Sequence, residues 1–447
     1  MKTIEKKVSN QISNINNNLS INSTQTSSSP TTRMAFTGST NPFLTAITST
    51  SQMPTQPVTS IESTTTFRTT LTNTTMTSMP ITQTSFNPQN SFIANLNGHG
   101  NEVNLIVPLN DNLLATGSYD DSIIVWNTTS RQQKFNFNSQ NGGHQDAISC
   151  LIALDSNNDR LASASFDLNI KIWDIKLGKL LFNFNSSNGG HRGDIVALAP
   201  IKPFLASGGQ DGLVKVWDLS NGILKYNLRH SSSFVLSLLP LENNLLASGG
   251  FDGTIKIWNL TDQSVKYQFN SSNDGHTNRV SKLVYLDNNL IASGSDDYTV
   301  KVWNIPNGRL KYNFDSTNGG HNTEISALIK LNENLLASGT GVSFGEKQFG
   351  EIKIWDFSKG NLKYTFNSSD AHTKRVEVLA VVENDLMVSG SEDETLKVWN
   401  FVNGSFKYTL SSIVGGHRDA IASLASLGKS LLASGSRDGF VKLWKIL

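Results

Sequence analysis

From residue 91 onward, apolar positions come in short alternating runs rather than at helical spacing. One stretch shows the unit: Ile325-Ser-Ala-Leu-Ile-Lys-Leu331, Leu335-Leu-Ala-Ser-Gly339, Glu351-Ile-Lys-Ile-Trp355 and Leu362-Lys-Tyr-Thr-Phe366. These runs are β-branched and aromatic, and Asn, Asp and Gly separate them, which predicts four short strands. Between third and fourth runs sit dipeptides such as Asn221-Gly222, Asn307-Gly308 and Asn403-Gly404. Asn-Gly is a strong hairpin signal because both residues accept positive φ. No amphipathic helical stretch competes in 91–447.

The unit repeats. All eight tryptophans share one context, Trp126, Trp173, Trp217, Trp258, Trp303, Trp355, Trp399 and Trp444, at spacings of 47, 44, 41, 45, 52, 44 and 45 residues. All eight histidines precede them in phase: His99, His144, His191, His230, His276, His321, His372 and His417. A fixed period near 45 residues means an array of one supersecondary unit.

An aspartate lies six residues before seven of the tryptophans: Asp120, Asp167, Asp211, Asp252, Asp297, Asp393 and Asp438. The sixth unit has Phe349 there. Ten residues before the tryptophan comes Thr116, Ser163, Ser207, Ser248, Ser293, Ser389 or Ser434, with Ser338 displaced by an insertion. The recurring Gly-His … Leu-Ala-Ser-Gly-Ser-x-Asp-Gly-x-Ile-Lys-Ile-Trp-Asp resembles the WD40-repeat β-propellers. Gly-His becomes Arg229-His230 in unit four and Ala371-His372 in unit seven, and Lys445 follows the last tryptophan. The resemblance covers all of 91–447. It implies that His, Ser/Thr, Asp and Trp form a buried hydrogen-bonded tetrad in each blade, such as His99–Thr116–Asp120–Trp126. Burial of an imidazole and a carboxylate demands such partners. Eight copies of Ser, His and Asp argue against a hydrolase triad, which needs one activated site. Histidines spaced about 45 residues apart, with one cysteine in the chain, do not form a zinc motif. No phosphate-binding loop, cofactor or metal is expected.

The end of the chain sets the blade count. Unit eight stops after its third strand, Phe440-Val-Lys-Leu-Trp-Lys-Ile-Leu447, while Phe92-Ile-Ala-Asn-Leu96 matches fourth-strand segments such as Phe406-Lys-Tyr-Thr-Leu410. The expected fold is therefore an all-β, eight-bladed propeller closed by its N-terminal strand, which removes two exposed edges. Seven blades would leave one unit of strand-forming sequence unpaired.

Composition divides the chain near residue 90. Residues 1–90 hold no Trp, Tyr, His, Cys or Asp, one glycine (Gly38) and six of the eleven prolines, and are mostly Ser, Thr, Asn and Gln. Such a segment cannot bury enough apolar area to offset its backbone entropy, so a disordered tail is expected before a propeller at 91–447. The chain carries 37 basic and 36 acidic residues. Five basic residues (Lys2, Lys6, Lys7, Arg33, Arg68) and two acidic ones (Glu5, Glu62) precede residue 91, leaving 32 and 34 in the propeller. That balance argues against a polyanion binder. No run of 18 apolar residues exists, so no membrane span is expected. The opening MKTIEKKVSNQIS lacks the apolar core of a secretory signal, and the single Cys150 forms no internal disulfide. Both suit a cytoplasmic or otherwise intracellular protein.

The expected function is a non-catalytic scaffold or adaptor that binds other proteins or peptides within a complex. A propeller enzyme with a channel site, or a nucleic-acid-binding propeller, are the alternatives. In similar propellers partners are held on the face where the Gly-His loops and second-to-third-strand turns emerge. The residues before the turn aspartates are Tyr119, Phe166, Gln210, Phe251, Asp296, Glu392 and Arg437. Those beside the first apolar position of the innermost strands include Glu102, Asp194, Phe234, Arg279, Glu324 and Arg375. From these, Tyr119, Phe166, Phe234, Phe251, Arg279, Arg375 and Arg437 are the candidate partner-binding residues. Arg437 is expected beside Tyr119, meeting a carboxylate or phosphate. The insertion in unit six, Gly339–Gly350, brings Phe344 and Phe349 as a further candidate contact, set against a tolerated surface loop.

Overall fold

Eight four-stranded antiparallel sheets stand as blades around a central opening, and each consecutive set of four strands makes one blade except the last. The computed structural model describes residue 88 and residues 91–446, apart from 111, 156, 158, 288, 342–349, 368 and 384. Residues 1–87, Phe344 and Phe349 therefore lie outside the described residues. Blade 8 takes its three inner strands from Ile421–Gly428, Leu431–Ser436 and Val441–Lys445, and its outermost from Phe92–Leu96. Phe92 sits opposite Trp444 and Leu96 opposite Val441, so the closing strand has the bounds its sequence suggests.

The blades are held by matched seams. The last apolar residue of each fourth strand meets the next blade's tryptophan. Phe137 stacks on Trp173 at 4.3 Å, Phe184 on Trp217 at 4.4 Å, Phe269 on Trp303 at 4.3 Å and Phe314 on Trp355 at 4.5 Å. Leu228, Leu410 and Leu96 take this place before Trp258, Trp444 and Trp126, each sharing a buried cluster with that tryptophan. Near the opening, hydroxyl and amide side chains of the innermost strands donate across the same seams. Asn104 reaches the Ile148 carbonyl at 3.0 Å, Ser149 that of Ile195 at 2.5 Å, and Ser326 that of Val376 at 2.5 Å. At the rim, Tyr267, Tyr312 and Tyr364 donate to the carbonyls of Pro306, Ser358 and Val402, at 3.0, 3.2 and 2.8 Å. These seams thus combine apolar burial with hydrogen bonds to main-chain carbonyls, as buried backbone requires.

The third-to-fourth-strand turns differ from the expected pair of positive φ values. Only the glycine is left-handed, with Gly222 at φ +73 and its amide bonded to the Asp218 carbonyl at 2.9 Å. Asn221 instead accepts the Ile223 amide at 3.1 Å, and Asn403 does the same for Ser405. The glycine has a second duty. A Cβ on Gly404 would lie 2.6 Å from Cδ1 of Tyr364 in the preceding blade.

Candidate functional site

In six of the eight blades the complete tetrad joins the loop entering the innermost strand to the turn between second and third strands. In blade 5 the Trp303 indole donates to Ser293 Oγ at 2.8 Å, and Ser293 meets His276 Nε2 at 2.7 Å. His276 Nδ1 then lies 2.8 Å from Asp297, which also accepts the Thr277 amide at 3.0 Å. Donors run in one direction, tryptophan to serine to histidine to aspartate, which assigns the proton to Nδ1 of a neutral ring. The same order holds for His99–Thr116–Asp120–Trp126, His144–Ser163–Asp167–Trp173, His191–Ser207–Asp211–Trp217, His372–Ser389–Asp393–Trp399 and His417–Ser434–Asp438–Trp444.

Burial holds the imidazoles of His144, His276, His321, His372 and His417 below their ordinary value despite the adjacent carboxylates. Burial opposes ionisation of Asp167 too, but hydrogen bonds from His144 and two amides outweigh it and bring the carboxyl down to about 2. Each tetrad serine or threonine is sealed from solvent beneath its tryptophan. The trio therefore pins two loops rather than presenting a nucleophile.

Two blades depart. In blade 6, Glu351 replaces the missing aspartate and meets His321 Nδ1 at 2.8 Å. It lies four residues before Trp355, where a search six residues before the tryptophan does not find it. In blade 4 the histidine is turned over. His230 meets Ser248 through Nδ1 at 2.8 Å, while Nε2 is 4.0 Å from Asp252 and lacks a hydrogen-bond partner.

The pinned loops carry two kinds of surface on one face. A backbone bond couples each turn to the start of its innermost strand: Tyr119 to Glu102, Phe251 to Phe234, Asp296 to Arg279 and Arg437 to Ala420. On blades 1 and 2 the rings of Tyr119 and Phe166 lie 6.3 Å apart at 57°. On blade 4, Phe234 and Phe251 lie 5.6 Å apart, and Phe251 is 45% exposed.

Blades 5 to 8 carry a ladder of charges instead. Arg279 binds Asp296 and reaches Glu324 at 3.7 Å. Arg375 reaches Glu324 and Glu377, both at 3.5 Å. Arg437 faces Glu102 at 3.4 Å, Glu392 at 3.8 Å and Glu377 at 3.9 Å. Arg375 was expected to point outward, but it is buried with its guanidinium between two carboxylates. Arg437 crosses the seam to Glu102, whose carbonyl accepts the Tyr119 amide at 3.0 Å, and its charge is already shared among three acids.

Where the ladder meets the central opening, a cavity of about 10 Å³ is lined by Glu102, Asn104, Lys282, Ser326, Glu377, Ala420, Ala422 and Arg437. That is room for about one water. Glu377 and Lys282 were not anticipated as site residues. Their signal is a charge in otherwise uncharged columns. At the position of Glu377 other innermost strands carry Asn104, Ser149, Val196, Leu236, Ser281, Ser326 or Ala422. Burial pushes the Glu377 carboxyl up to about 7 and the Lys282 ammonium down to about 8. Among the described residues no group of His, Cys, Asp and Glu side chains is placed to hold a metal ion. No helix among them is long and apolar enough to cross a membrane.

The profile of the WD domain, G-beta repeat, known as WD40, matches residues 75–127, 135–174, 178–218, 222–259, 267–304, 360–400 and 405–445. Trp355, in the unit with the insertion and Glu351, falls between two of these matches. No curated protein sequence matches the chain. Among solved structures, the computationally designed Ika8 protein is similar, with a TM-score of 0.67 and 28% identity over 80% of this chain and all of that one.

Proposed function

The chain belongs to the WD40-repeat family, and from that premise we propose that it is a non-catalytic scaffold holding a protein or peptide segment on the face built by its Gly-His loops. Family members are in general protein-interaction scaffolds. The observation that carries the reading for this chain is the pairing of outward aromatics, Tyr119 with Phe166 on turns fixed from beneath by complete tetrads, and Phe234 with Phe251 on blade 4. Aromatic side chains on rigid turns offer contact area at low entropic cost, and tyrosine is among the residues that most often anchor interfaces.

The test is affinity purification with the full chain and with Tyr119→Ala combined with Phe166→Ala. Loss of about 2 kcal/mol per anchor would remove stable partners while leaving the melting temperature nearly unchanged. Undiminished recovery of the same partners would overturn the assignment. A parallel change at Leu177 and Ile223, exposed apolar residues of other turns and strands, is expected to leave recovery intact.

A further inference from the structure

The charge ladder has more acid than base at the mouth of the opening. Arg437 is shared by Glu102, Glu377 and Glu392, Arg375 also reaches Glu377, and Lys282 lines the same cavity, but with Glu324, Asp296 and Asp419 the ladder sets six carboxylates against the four cations Arg279, Arg375, Arg437 and Lys282. Glu377 is the critical member. Its side chain is only 8% exposed and lines the cavity; Oε2 meets Arg375 at 3.5 Å, yet Oε1 has no hydrogen-bond partner and stands 3.9 Å from the Arg437 guanidinium. A buried carboxylate oxygen without a donor is costly, and one further donor placed there would relieve it. The neighbouring carboxyls are raised by burial as well. Burial holds the Glu102 carboxyl above its ordinary value in spite of Arg437, and Asp296 is pushed up to about 6 in spite of Arg279.

We propose that this mouth receives a basic side chain, arginine or lysine, carried by the partner segment that packs on Tyr119 and Phe166. The inference rests on the face assigned above and reverses the role expected of Arg437. Rather than meeting a carboxylate or phosphate of the ligand, Arg437 is a resident cation that organises three carboxylates. The ligand's cationic tip needs to reach only the rim, where Glu102 and Arg437 are each about a quarter exposed. There its N–H groups donate to Glu102 and, through the one water the cavity has room for, to Glu377 Oε1. A guanidinium suits this arrangement because its planar fork can bridge two carboxylates at once. Tyr119 lies one backbone bond from Glu102, so an apolar residue next to the basic one falls on the Tyr119–Phe166 pair.

The test is a random peptide library panned against the full chain, with selected peptides then measured by fluorescence anisotropy. Selected sequences are expected to carry Arg or Lys at a fixed position beside an apolar residue. Glu102→Gln and Glu377→Gln should each weaken them about tenfold, and added salt should weaken them further. Glu102 is at the rim, so its variant keeps the test decisive if Glu377→Gln does not fold. Arg437→Ala removes the cation shared by three carboxylates and should strengthen the same peptides severalfold. Acidic or phosphate-mimicking peptides that still depend on Tyr119 would overturn the charge assignment and leave the binding face standing. Peptides indifferent to Tyr119→Ala and Phe166→Ala would overturn both. Basic peptides whose affinity falls with Arg437→Ala would overturn the proposal as well.

Discussion

The ring of Phe92 meets the indole of Trp444 edge-on, with centroids 5.7 Å apart at 71°. This contact joins the first described strand to the last. Beside it the Lys445 amide donates to the Ser91 carbonyl at 2.7 Å, and Leu96 is buried with Trp126 of blade 1. Deleting residues 1–88 should leave the melting temperature unchanged. Deleting 1–97 also removes buried Leu96, worth about 1.5–3 kcal/mol, and half-buried Phe92, and bares the edge of Val441–Lys445. Its melting temperature should fall by several degrees at least. Equal melting curves would refute closure as a source of stability.

The tetrads rank by their contacts. His276→Ala strips a hydrogen bond from buried Ser293 and one from Asp297, so it should cost about 2–4 kcal/mol. His230→Ala loses one hydrogen bond and no close carboxylate, and about 1–2 kcal/mol is expected. Urea unfolding of the two variants measures the difference. A costlier His230 variant would contradict the geometry of blade 4.

Acid should weaken the propeller in two stages. The buried histidines have folded pKa values below 6.5, so the unfolded chain takes up protons first and stability falls as pH drops below that value. The tetrad aspartates are also lowered, Asp167 to about 2, so their contribution is lost as pH falls from 3.8 toward that value. Glu377 acts in the opposite sense. Its raised carboxyl favours the folded state at low pH and loses that advantage as pH rises from 4.5 through about 7. Glu377→Gln should therefore gain stability relative to the parent chain between about pH 5 and about pH 8. Melting temperatures across this range test both signs, and parallel curves would exclude a buried, raised Glu377.

Gly404→Ala should destabilise by about 1–3 kcal/mol, because φ is +71 and the new methyl would strike the Tyr364 ring. Arg131 holds the equivalent place in blade 1 at φ +60, and there the preceding fourth strand offers Ala94 instead of a ring. Arg131→Ala should therefore cost little. Chemical denaturation measures both: Gly404→Ala adds a Cβ at positive φ against a ring whereas Arg131→Ala adds neither, and equal losses would contradict this account.

Much of the architecture is legible in the sequence because repetition reports it eight times. The closing strand could be placed at Phe92–Leu96 because its apolar pattern has seven other examples to match. What escaped was whatever occurs once. Glu351 does the work of an aspartate from a different spacing, since a longer side chain on the next strand reaches the same imidazole. His230 has the right phase but offers its serine the other ring nitrogen; strand Ile223–Arg229 runs straight into it, and Val235 follows after five residues where four is the step in the other blades. Arg375 looked like a surface anchor because a column position gives direction but not what stands above it. Its burial comes from Glu324 of blade 6 and Glu377 of its own blade, a relation between units that no single repeat contains.

Phe92 lies opposite Trp444, and Leu96 opposite Val441, so the two strands of the closing ladder part company from the rim where residues 91 and 446 emerge together. A load applied between those residues would act across the ladder, along its hydrogen bonds, rather than along the strands. Each bond would carry the tension in turn and break before the next was loaded. The ring would thus open like a zip, at low force and from its one non-consecutive junction. A tether attached at those two residues would have a built-in point of first yield, while the seven blades made of consecutive strands stayed shut.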